Sequence, residues 1–146
     1  MRVLITGGSG FIGGAVLAAL REAGHTVLAP VRSSASAHIV TAAGGDPVVG
    51  DVTDVDWFAE QLATVDAAIH AATPGDATSA EFDARIVDGV LAAFTGTAKP
   101  YVHTSGVWLW GSNPHISEDA PLDPPVMSTL TMLPSNDERT VLRTVP

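Results

Sequence analysis

Short apolar runs alternate with longer segments of mixed polarity along most of the chain. Such runs are typical of buried strands, and apolar positions that recur every three or four residues are typical of helices. The pattern predicts five strands, at Arg2–Thr6, His25–Val31, Asp46–Gly50, Val65–Ala71 and Pro100–Ser105. It predicts helices between them, at Phe11–Ala23, Ala35–Ala43, Asp54–Leu62 and Ser79–Phe94.

This alternation predicts an α/β fold, in which a parallel sheet carries helices on both faces. Right-handed crossovers leave few topologies, so we expect a Rossmann-type doubly wound sheet of about five strands in the order 3-2-1-4-5. The length of 146 residues suits a single domain over residues 1–146. Prolines at positions 114, 121, 124, 125 and 134 predict a long loop over residues 111–134, before a short helical segment at Asp137–Arg143.

A glycine-rich turn, Thr6-Gly7-Gly8-Ser9-Gly10-Phe11-Ile12-Gly13, lies between the first predicted strand and the first predicted helix. Gly7 allows a tight turn, Gly10 lets backbone approach a diphosphate, and Gly13 lets the helix pack on the sheet. The amides of the first helical turn then point at the phosphates, whose charge the helix dipole favours. This context predicts a dinucleotide site, the alternative being a glycine-rich connector without a ligand.

The spacing Gly7-x-x-Gly10-x-x-Gly13 resembles that of the short-chain dehydrogenase/reductase superfamily. Gly10-Phe11-Ile12-Gly13 resembles its extended branch, the NAD-dependent epimerase/dehydratase family, and the resemblance fades after Pro125. It implies binding of NAD or NADP and action on a small-molecule substrate with a carbonyl or sugar-like group. Members of that family continue with further strands and a substrate domain, so we expect this chain to be C-terminally short, as a truncated gene product, a natural short form or a fragment that pairs with another chain.

The end of the second predicted strand, about 20 residues beyond the glycines, is where such folds meet the adenosine ribose. An acidic residue there suits the 2′-hydroxyl of NAD, whereas an arginine suits the 2′-phosphate of NADP. This chain has Arg32 and Ser33 at that point, which both offer hydrogen-bond donors. We therefore predict NADP in preference to NAD, against the alternative that Arg32 is merely solvated.

Two more segments join the predicted cofactor site through the resemblance. An acidic and an apolar residue, here Asp51 and Val52, lie along the adenine in the family pattern; alternatively Asp51 caps the next helix. The small residues Ala71–Thr73 resemble the segment beside the nicotinamide ribose, and His70 before them is more typical of a packed strand histidine than of a catalytic one. The predicted cofactor-binding residues are Gly7, Gly8, Ser9, Gly10, Phe11, Ile12, Arg32, Ser33, Asp51, Val52, Ala71, Ala72 and Thr73.

The catalytic residues that the resemblance implies are only partly matched. Family members carry a serine or threonine after the fifth strand that polarises the substrate carbonyl, and a Tyr-x-x-x-Lys helix whose tyrosine is the acid/base. Ser105 matches the hydroxyl residue and is the catalytic residue that we predict. The Tyr-x-x-x-Lys pair is missing, because the single tyrosine, Tyr101, and the single lysine, Lys99, lie on and before the fifth strand.

Two hypotheses of function follow. The first is an oxidoreductase or epimerase, whose missing acid is supplied by Asp137, Glu138, Arg139 or His115, although each of these also fits a solvated surface residue. The second is a non-catalytic NADP-binding sensor or regulatory module, which needs the glycine turn but not the Tyr/Lys pair. A flavin or another nucleotide is a further alternative ligand, since the fold alone does not fix the ligand.

The composition of the chain restricts the kinds of partner that we expect it to bind. Apolar residues make up 46% of the chain and charged residues 16%, which is typical of a domain with a large core. A formal net charge of −9 repels phosphate backbones, so we expect no nucleic-acid partner. The chain has no cysteine, and we predict no metal site. Because no apolar run approaches the roughly 18 residues of a membrane span, we expect a soluble, cytoplasmic protein.

The fifth strand is expected to be an open edge, because no sixth strand is predicted to pair with it. Its unpaired N–H and C=O groups are a template for pairing with another chain. The apolar segment Val107-Trp108-Leu109-Trp110 follows just beyond it. We therefore predict self-association into a homo-oligomer, through this edge or through exposed helices.

Overall fold

Strands and helices alternate from Arg2 to His103 in the computed structural model, which describes residues 1–117, 119–121 and 123. The strands are β1 (Arg2–Thr6), β2 (Thr26–Val31), β3 (Asp46–Val49), β4 (Ala67–His70) and β5 (Tyr101–His103). The helices are α1 (Phe11–Glu22), α2 (Ser34–Ala42), α3 (Val55–Ala63) and α4 (Ser79–Phe94). β1 and α4 have the predicted bounds, and the other elements begin and end close to theirs.

The strands form one parallel sheet in the order β3-β2-β1-β4-β5, which confirms the predicted topology. β1 is central, and its Leu4 lies opposite Leu28 of β2 and Ala68 of β4. The strand order reverses between β1 and β4. Ligands of doubly wound sheets bind beyond the carboxyl ends of the strands at such a reversal, so this edge of the sheet is the place to look for a site.

Two apolar cores lie on opposite faces of the sheet, because successive strand side chains point to opposite sides. Leu4 belongs to the core that contains Phe58 of α3 and Ile86 of α4. Its neighbour Ile5 belongs to the core that contains Leu17 of α1 and residues of α2. The five named side chains are almost fully buried. Close packing of this kind makes the sheet a rigid base for the turns at its carboxyl edge.

Local hydrogen bonds fix where α2 and α3 begin. The Ser33 hydroxyl accepts a hydrogen bond from the N–H of Ser36 at 3.2 Å, and the Asp54 carboxylate accepts one from the N–H of Trp57 at 3.1 Å. Each bond satisfies an amide of the first turn that has no partner within its helix. Asp54, and not Asp51, is therefore the cap of α3.

The chain divides into two compact units, Met1–His103 and a second unit that begins at Thr104. The second unit opens with a short 3-10 helix at Val107–Trp110. Within it, the indole N–H of Trp110 donates to the carbonyl of Ala120 at 3.1 Å. The described residues from 111 onwards contain neither helix nor strand. The predicted helical segment Asp137–Arg143 lies outside the described residues, as do Glu138 and Arg139.

Two sequence predictions concern the surface of the molecule. Over the described part of the chain, every helix is too short or too polar to cross a lipid bilayer. β5 lies at an edge of the sheet formed by the described residues, and its Val102 is 39% exposed. Self-association through this edge stays a prediction.

Candidate functional site

The turn after β1 brings two backbones into direct contact. Gly7 has a positive φ of 76°, a conformation that residues with a side chain rarely adopt. A Cβ on Gly7 would lie 2.6 Å from the carbonyl oxygen of Ala71 and 2.8 Å from the nitrogen of Ala72. The ends of β1 and β4 can meet at this point because residue 7 has no side chain.

The first turn of α1 packs back onto the same glycine. A Cβ on Gly13 would overlap the carbonyl group of Gly7, whereas one on Gly14 would lie at an ordinary 3.5 Å from the Gly8 oxygen. The carbonyl of Gly7 accepts a hydrogen bond from the N–H of Gly10 at 2.8 Å. Gly13 therefore lets α1 start directly against the turn, as the glycine spacing predicts.

The start of α1 has no side-chain cap. The residue at the cap position is Gly10, which has no polar side chain to offer the first-turn amides. The two residues that follow are apolar and exposed, Phe11 at 97% and Ile12 at 52%. The positive end of the α1 dipole therefore opens at the carboxyl edge of the sheet, next to Gly7.

The ends of β2 and β3 bring opposite charges together. Arg32 is exposed after β2, and Asp51 is exposed after β3. Asp51 Oδ1 accepts hydrogen bonds from the N–H of Thr53 at 2.9 Å and from its hydroxyl at 2.8 Å. These two bonds, followed by the charge of Arg32, lower the pKa of the Asp51 carboxyl. Asp51 is thus an anion within electrostatic reach of Arg32, and Val52 packs against the α3/α4 core.

The segment after β4 borders the contact with Gly7. Ala71 and Ala72 are half-buried, and Thr73 is exposed. The Thr73 hydroxyl donates to the hydroxyl of Ser79 at 3.2 Å, which ties this loop to the first residue of α4. A shallow cleft lies between the start of α4 and the segment before α3, lined by Thr53, Thr78, Glu81, Phe82 and Arg85.

A buried polar network beneath these loops was not predicted as a site. His70, 2% exposed, has its Nδ1 2.6 Å from the Thr6 hydroxyl and its Nε2 3.1 Å from Asp83 Oδ1 on α4. The Thr6 hydroxyl also accepts from the N–H of Ala71 at 3.3 Å. The ring of His103 on β5 lies 5.1 Å from the His70 ring. The one indication of this network in the sequence was the position of His70 at the end of a predicted strand.

Burial is the main influence on the titration of this network. It lowers the pKa of His70, and the hydrogen bond to Asp83 only partly opposes it. Burial likewise lowers the pKa of His103, whose Nδ1 lies 3.0 Å from the Tyr101 hydroxyl. The pKa of Tyr101 is raised well above its usual range, also by burial. Tyr101 therefore stays protonated and His70 stays neutral near pH 7.

Ser105, the predicted catalytic residue, lies in a different unit from Tyr101 and Lys99, the single tyrosine and the single lysine of the chain. Ser105 is an exposed residue of the second unit. In the first unit, Tyr101 contacts His103, while Lys99 lies over the ring of Phe94 and donates to the carbonyl of Leu62. Tyr101 and Lys99 are engaged with different partners, so they do not replace the missing Tyr-x-x-x-Lys pair.

The described residues contain no group of three or more histidine, aspartate or glutamate side chains that could hold a metal ion. The His70, His103 and Asp83 side chains come close together, but both ring nitrogens of His70 already face hydrogen-bond partners. The polar atoms of this cluster are thus engaged in a hydrogen-bond network.

A doubly wound sheet with an uncapped helix beside a glycine contact defines the class of Rossmann-type proteins. Comparison with known protein families supports this class. Residues 3–126 match the model of the NAD dependent epimerase/dehydratase family. The chain therefore belongs to the NAD-dependent epimerase/dehydratase family, as the glycine turn predicted.

Three relatives illustrate the similarity. An uncharacterised protein of Schizosaccharomyces pombe is 36% identical over 77% of this chain and 40% of its own length. A farnesyl-dihydroquinoline-1-oxide ketoreductase of Stigmatella aurantiaca is 42% identical over 64% of this chain and 29% of its own. A short-chain dehydrogenase/reductase superfamily protein of Agrobacterium tumefaciens, solved with bound NAD, is 27% identical over 90% of this chain and 42% of its own, with a TM-score of 0.61. The chain thus spans well under half the length of each relative.

The contact between Gly13 and Gly7 predicts how substitutions in the first turn of α1 change the free energy of unfolding. Gly13→Ala is expected to lower the free energy of unfolding by about 2 kcal/mol or more, because its Cβ overlaps backbone that cannot move aside. Gly14→Ala, the matched control one residue on, is expected to raise it by about 0.5–1 kcal/mol through helix propensity. Urea unfolding measures both, and equal effects of the two changes would contradict the packing described.

His70 makes the stability depend on pH. Its pKa is lower in the folded chain than the 6.5 or so of an unfolded one, so the unfolded state binds more protons between these values. Stability is therefore complete above about pH 6.5 and falls as the pH drops below it, by at most about 1.4 kcal/mol per unit for one group. Urea unfolding between pH 5 and 7.5 should show a shallower fall for His70→Asn. The control His38→Gln, at an exposed position on α2, should keep the slope of the parent.

Proposed function

We propose that this chain binds a nicotinamide dinucleotide at the carboxyl ends of β1 and β4, with the diphosphate on the first turn of α1. The observation that carries the proposal is the uncapped start of α1 beside the backbone contact at Gly7. Amides without partners and a positive helix dipole attract phosphate, and no side chain obstructs the approach. The Agrobacterium relative, solved with NAD, supports the same ligand class.

The contacts at the two ends of the dinucleotide are part of the proposal. The diphosphate meets the turn, the adenosine end meets the loops after β2 and β3, and the nicotinamide end meets the loop after β4. The proposed binding residues are Gly7, Gly8, Ser9, Gly10, Phe11, Ile12, Arg32, Ser33, Asp51, Val52, Ala71, Ala72 and Thr73. The exposed apolar pair at the start of α1 gains a covering when the ligand lies over it.

NADP is the proposed ligand in preference to NAD. Arg32 is exposed at the end of β2, where its guanidinium is free to form two charge-assisted bonds to a 2′-phosphate. Ser33 already caps α2, so its hydroxyl contributes to a phosphate only by turning from Ser36. Asp51 competes for Arg32 but holds Thr53 through a single oxygen, which leaves Oδ2 to accept from the adenine amine.

The proposed activity is hydride exchange between the dinucleotide and a small carbonyl or sugar-like substrate. Support comes from the family and from the Stigmatella relative, which is a ketoreductase. The dinucleotide, when bound, supplies or accepts the hydride. In this proposal the Ser105 hydroxyl donates a hydrogen bond to the substrate oxygen, and a proton donor other than Tyr101 completes the reaction.

A non-catalytic NADP-binding module is the second candidate. The observation in its favour is that Tyr101 and Lys99 are both engaged elsewhere and lie only two residues apart in the sequence, which leaves the ordinary acid/base pair unfilled. Absorbance at the NADPH band, followed with aldehydes, ketones and nucleotide sugars, separates the two. Turnover that Ser105→Ala reduces supports the enzyme, whereas binding without turnover of any substrate supports the module.

Thermal melts with and without oxidised dinucleotide test the proposed binding. A ligand at about 100 times its Kd adds about 2.7 kcal/mol, which for a chain of this size raises Tm by several degrees. Gly10→Val should abolish the rise, because a branched side chain fills the approach to the α1 amides. Gly14→Ala, whose Cβ has room, should keep it. A parent protein that shows no rise with NADP+ or NAD+ would refute the proposed function.

The choice between the two dinucleotides depends on Arg32. Arg32→Ala is expected to weaken NADP+ about 10-fold or more, the worth of a charged hydrogen bond, and to change NAD+ binding little. Arg2→Ala is the matched control, since Arg2 is also exposed but lies at the opposite end of the sheet. Calorimetric titration of the parent and the two variants with each dinucleotide gives all six affinities. Equal losses for the two dinucleotides would place Arg32 outside the 2′-phosphate contact.

A further inference from the structure

A directed chain of hydrogen bonds runs from α4 to the edge of the glycine turn. The carboxylate of Asp83 accepts, so the Nε2 of His70 carries the proton that it donates. In the neutral ring Nδ1 is then an acceptor, and the Thr6 hydroxyl donates to it at 2.6 Å. The oxygen of that hydroxyl accepts from the N–H of Ala71. Each group therefore has one defined role while His70 is neutral.

The far end of this chain is the point where β1 meets β4. The N–H of Ala71 is shared between the backbone carbonyl of Thr6 at 3.2 Å and its hydroxyl at 3.3 Å. Thr6 immediately precedes Gly7, and the Ala71 carbonyl is the group that leaves no room for a side chain there. A change in the hydrogen bonds of the Thr6 hydroxyl therefore alters the Gly7–Ala71 contact, which shapes the proposed dinucleotide site.

We propose that His70 is a positioning residue for the dinucleotide, that only its neutral form holds the Gly7–Ala71 contact in the binding geometry, and that protonation of His70 weakens dinucleotide binding. This inference rests on the proposed function. A protonated ring presents N–H groups at both nitrogens, so the hydroxyl of Thr6 loses its acceptor inside a site that is 2% exposed. The Nδ1–H then donates to the Thr6 oxygen, and the Thr6 hydroxyl proton must leave its present position and find another acceptor, which changes the hydrogen bonds that join the ends of β1 and β4.

The groups around His70 determine how it titrates. Asp83 on α4 favours the proton, and Phe82 from the same helix adds only an apolar ring. His103 on β5 lies beside it, with Tyr101 behind His103. On β1 the facing side chain is Thr6, which does not titrate. Burial is the largest influence and lowers the pKa of His70, Asp83 opposes it, and His103 lowers the pKa further.

The affinity for NAD+ and NADP+ is measured by calorimetry on the whole chain at steps from pH 8 to pH 5.5. The parent is expected to bind more weakly as the pH falls, by up to about ten-fold for each unit below the point at which His70 takes up its proton. NAD+ matters here because it lacks the 2′-phosphate, which itself titrates near pH 6. Dividing the affinity of the parent by the affinity of the variant at each pH cancels the effect of the ligand's own titration.

Two replacements of His70 separate its two contacts. His70→Asn keeps an acceptor toward Thr6, and His70→Gln keeps a donor toward Asp83. We expect His70→Asn to bind dinucleotide more tightly than His70→Gln, and neither to show the pH dependence of the parent. The controls are His103→Gln, which removes the neighbouring titrating ring, and His38→Gln on the surface of α2. His103→Gln should keep the pH dependence but move it to higher pH, since His103 lowers the pKa of His70, and His38→Gln should leave it unchanged.

A second measurement uses the parent chain alone, so it does not depend on whether a variant folds. Binding and protonation are linked reciprocally, so a ligand that prefers the neutral ring must lower the pKa of His70 when it binds. NMR titration of the His70 ring with and without saturating dinucleotide gives this shift directly. An unchanged pKa, or a pH dependence that survives in His70→Asn, overturns the inference while leaving dinucleotide binding intact. No binding of either dinucleotide at any pH overturns the proposed function instead.

Discussion

The backbone contact between the ends of β1 and β4 is the constraint on which the rest of the site depends. Gly7 combines a positive φ with neighbours at 2.6–2.8 Å from its missing Cβ, and Gly13 packs against it from α1. A side chain at either position would separate elements that the two cores hold fixed. Small residues after β4 satisfy the same constraint from the other side. The start of α1 is exposed at the sheet edge because this contact brings it there.

Polar groups beneath that contact are arranged so that none is left without a partner. His70 and Thr6 are the buried polar residues of the described chain, and every buried side-chain nitrogen or oxygen in that part has a hydrogen-bond partner. A network of this kind is stable only while every member keeps its role, because an unpaired polar group in a low-dielectric interior is costly. The rigidity of the glycine contact and the protonation state of His70 are therefore two parts of one arrangement.

The fold could be predicted from the sequence because buried parallel strands are continuous apolar runs and the helices between them have a clear period. β4 and β5 are shorter than predicted because the sheet, not the apolar run, sets their ends. Pro100 accepts a hydrogen bond from Ala68 but has no N–H to donate, so β5 begins only at Tyr101. Its pairing with β4 ends at His103, opposite His70.

The glycine turn was predictable for a different reason: close backbone approach and positive φ leave a direct trace in the residue type. The network around His70 left almost none. Thr6, His70 and Asp83 belong to three elements and are separated by 64 and 13 residues, so only the register of β1 with β4 and the position of α4 bring them together. Neither the register nor the position of a helix over a sheet is encoded in a local pattern.

At the proposed adenosine end, Asp51 offsets part of what Arg32 contributes to the choice of dinucleotide. Arg32 and Asp51 follow neighbouring strands, and the charge of Arg32 contributes to the low pKa of Asp51, so the two interact even without ligand. A 2′-phosphate therefore gains only the difference between its own attraction to Arg32 and the attraction of Asp51 that it displaces. Because the two bonds from Thr53 also stabilise the anion, Asp51 stays charged after Arg32 turns away. Both residues are exposed, so added salt weakens the attraction of Arg32 for phosphate and for Asp51 together.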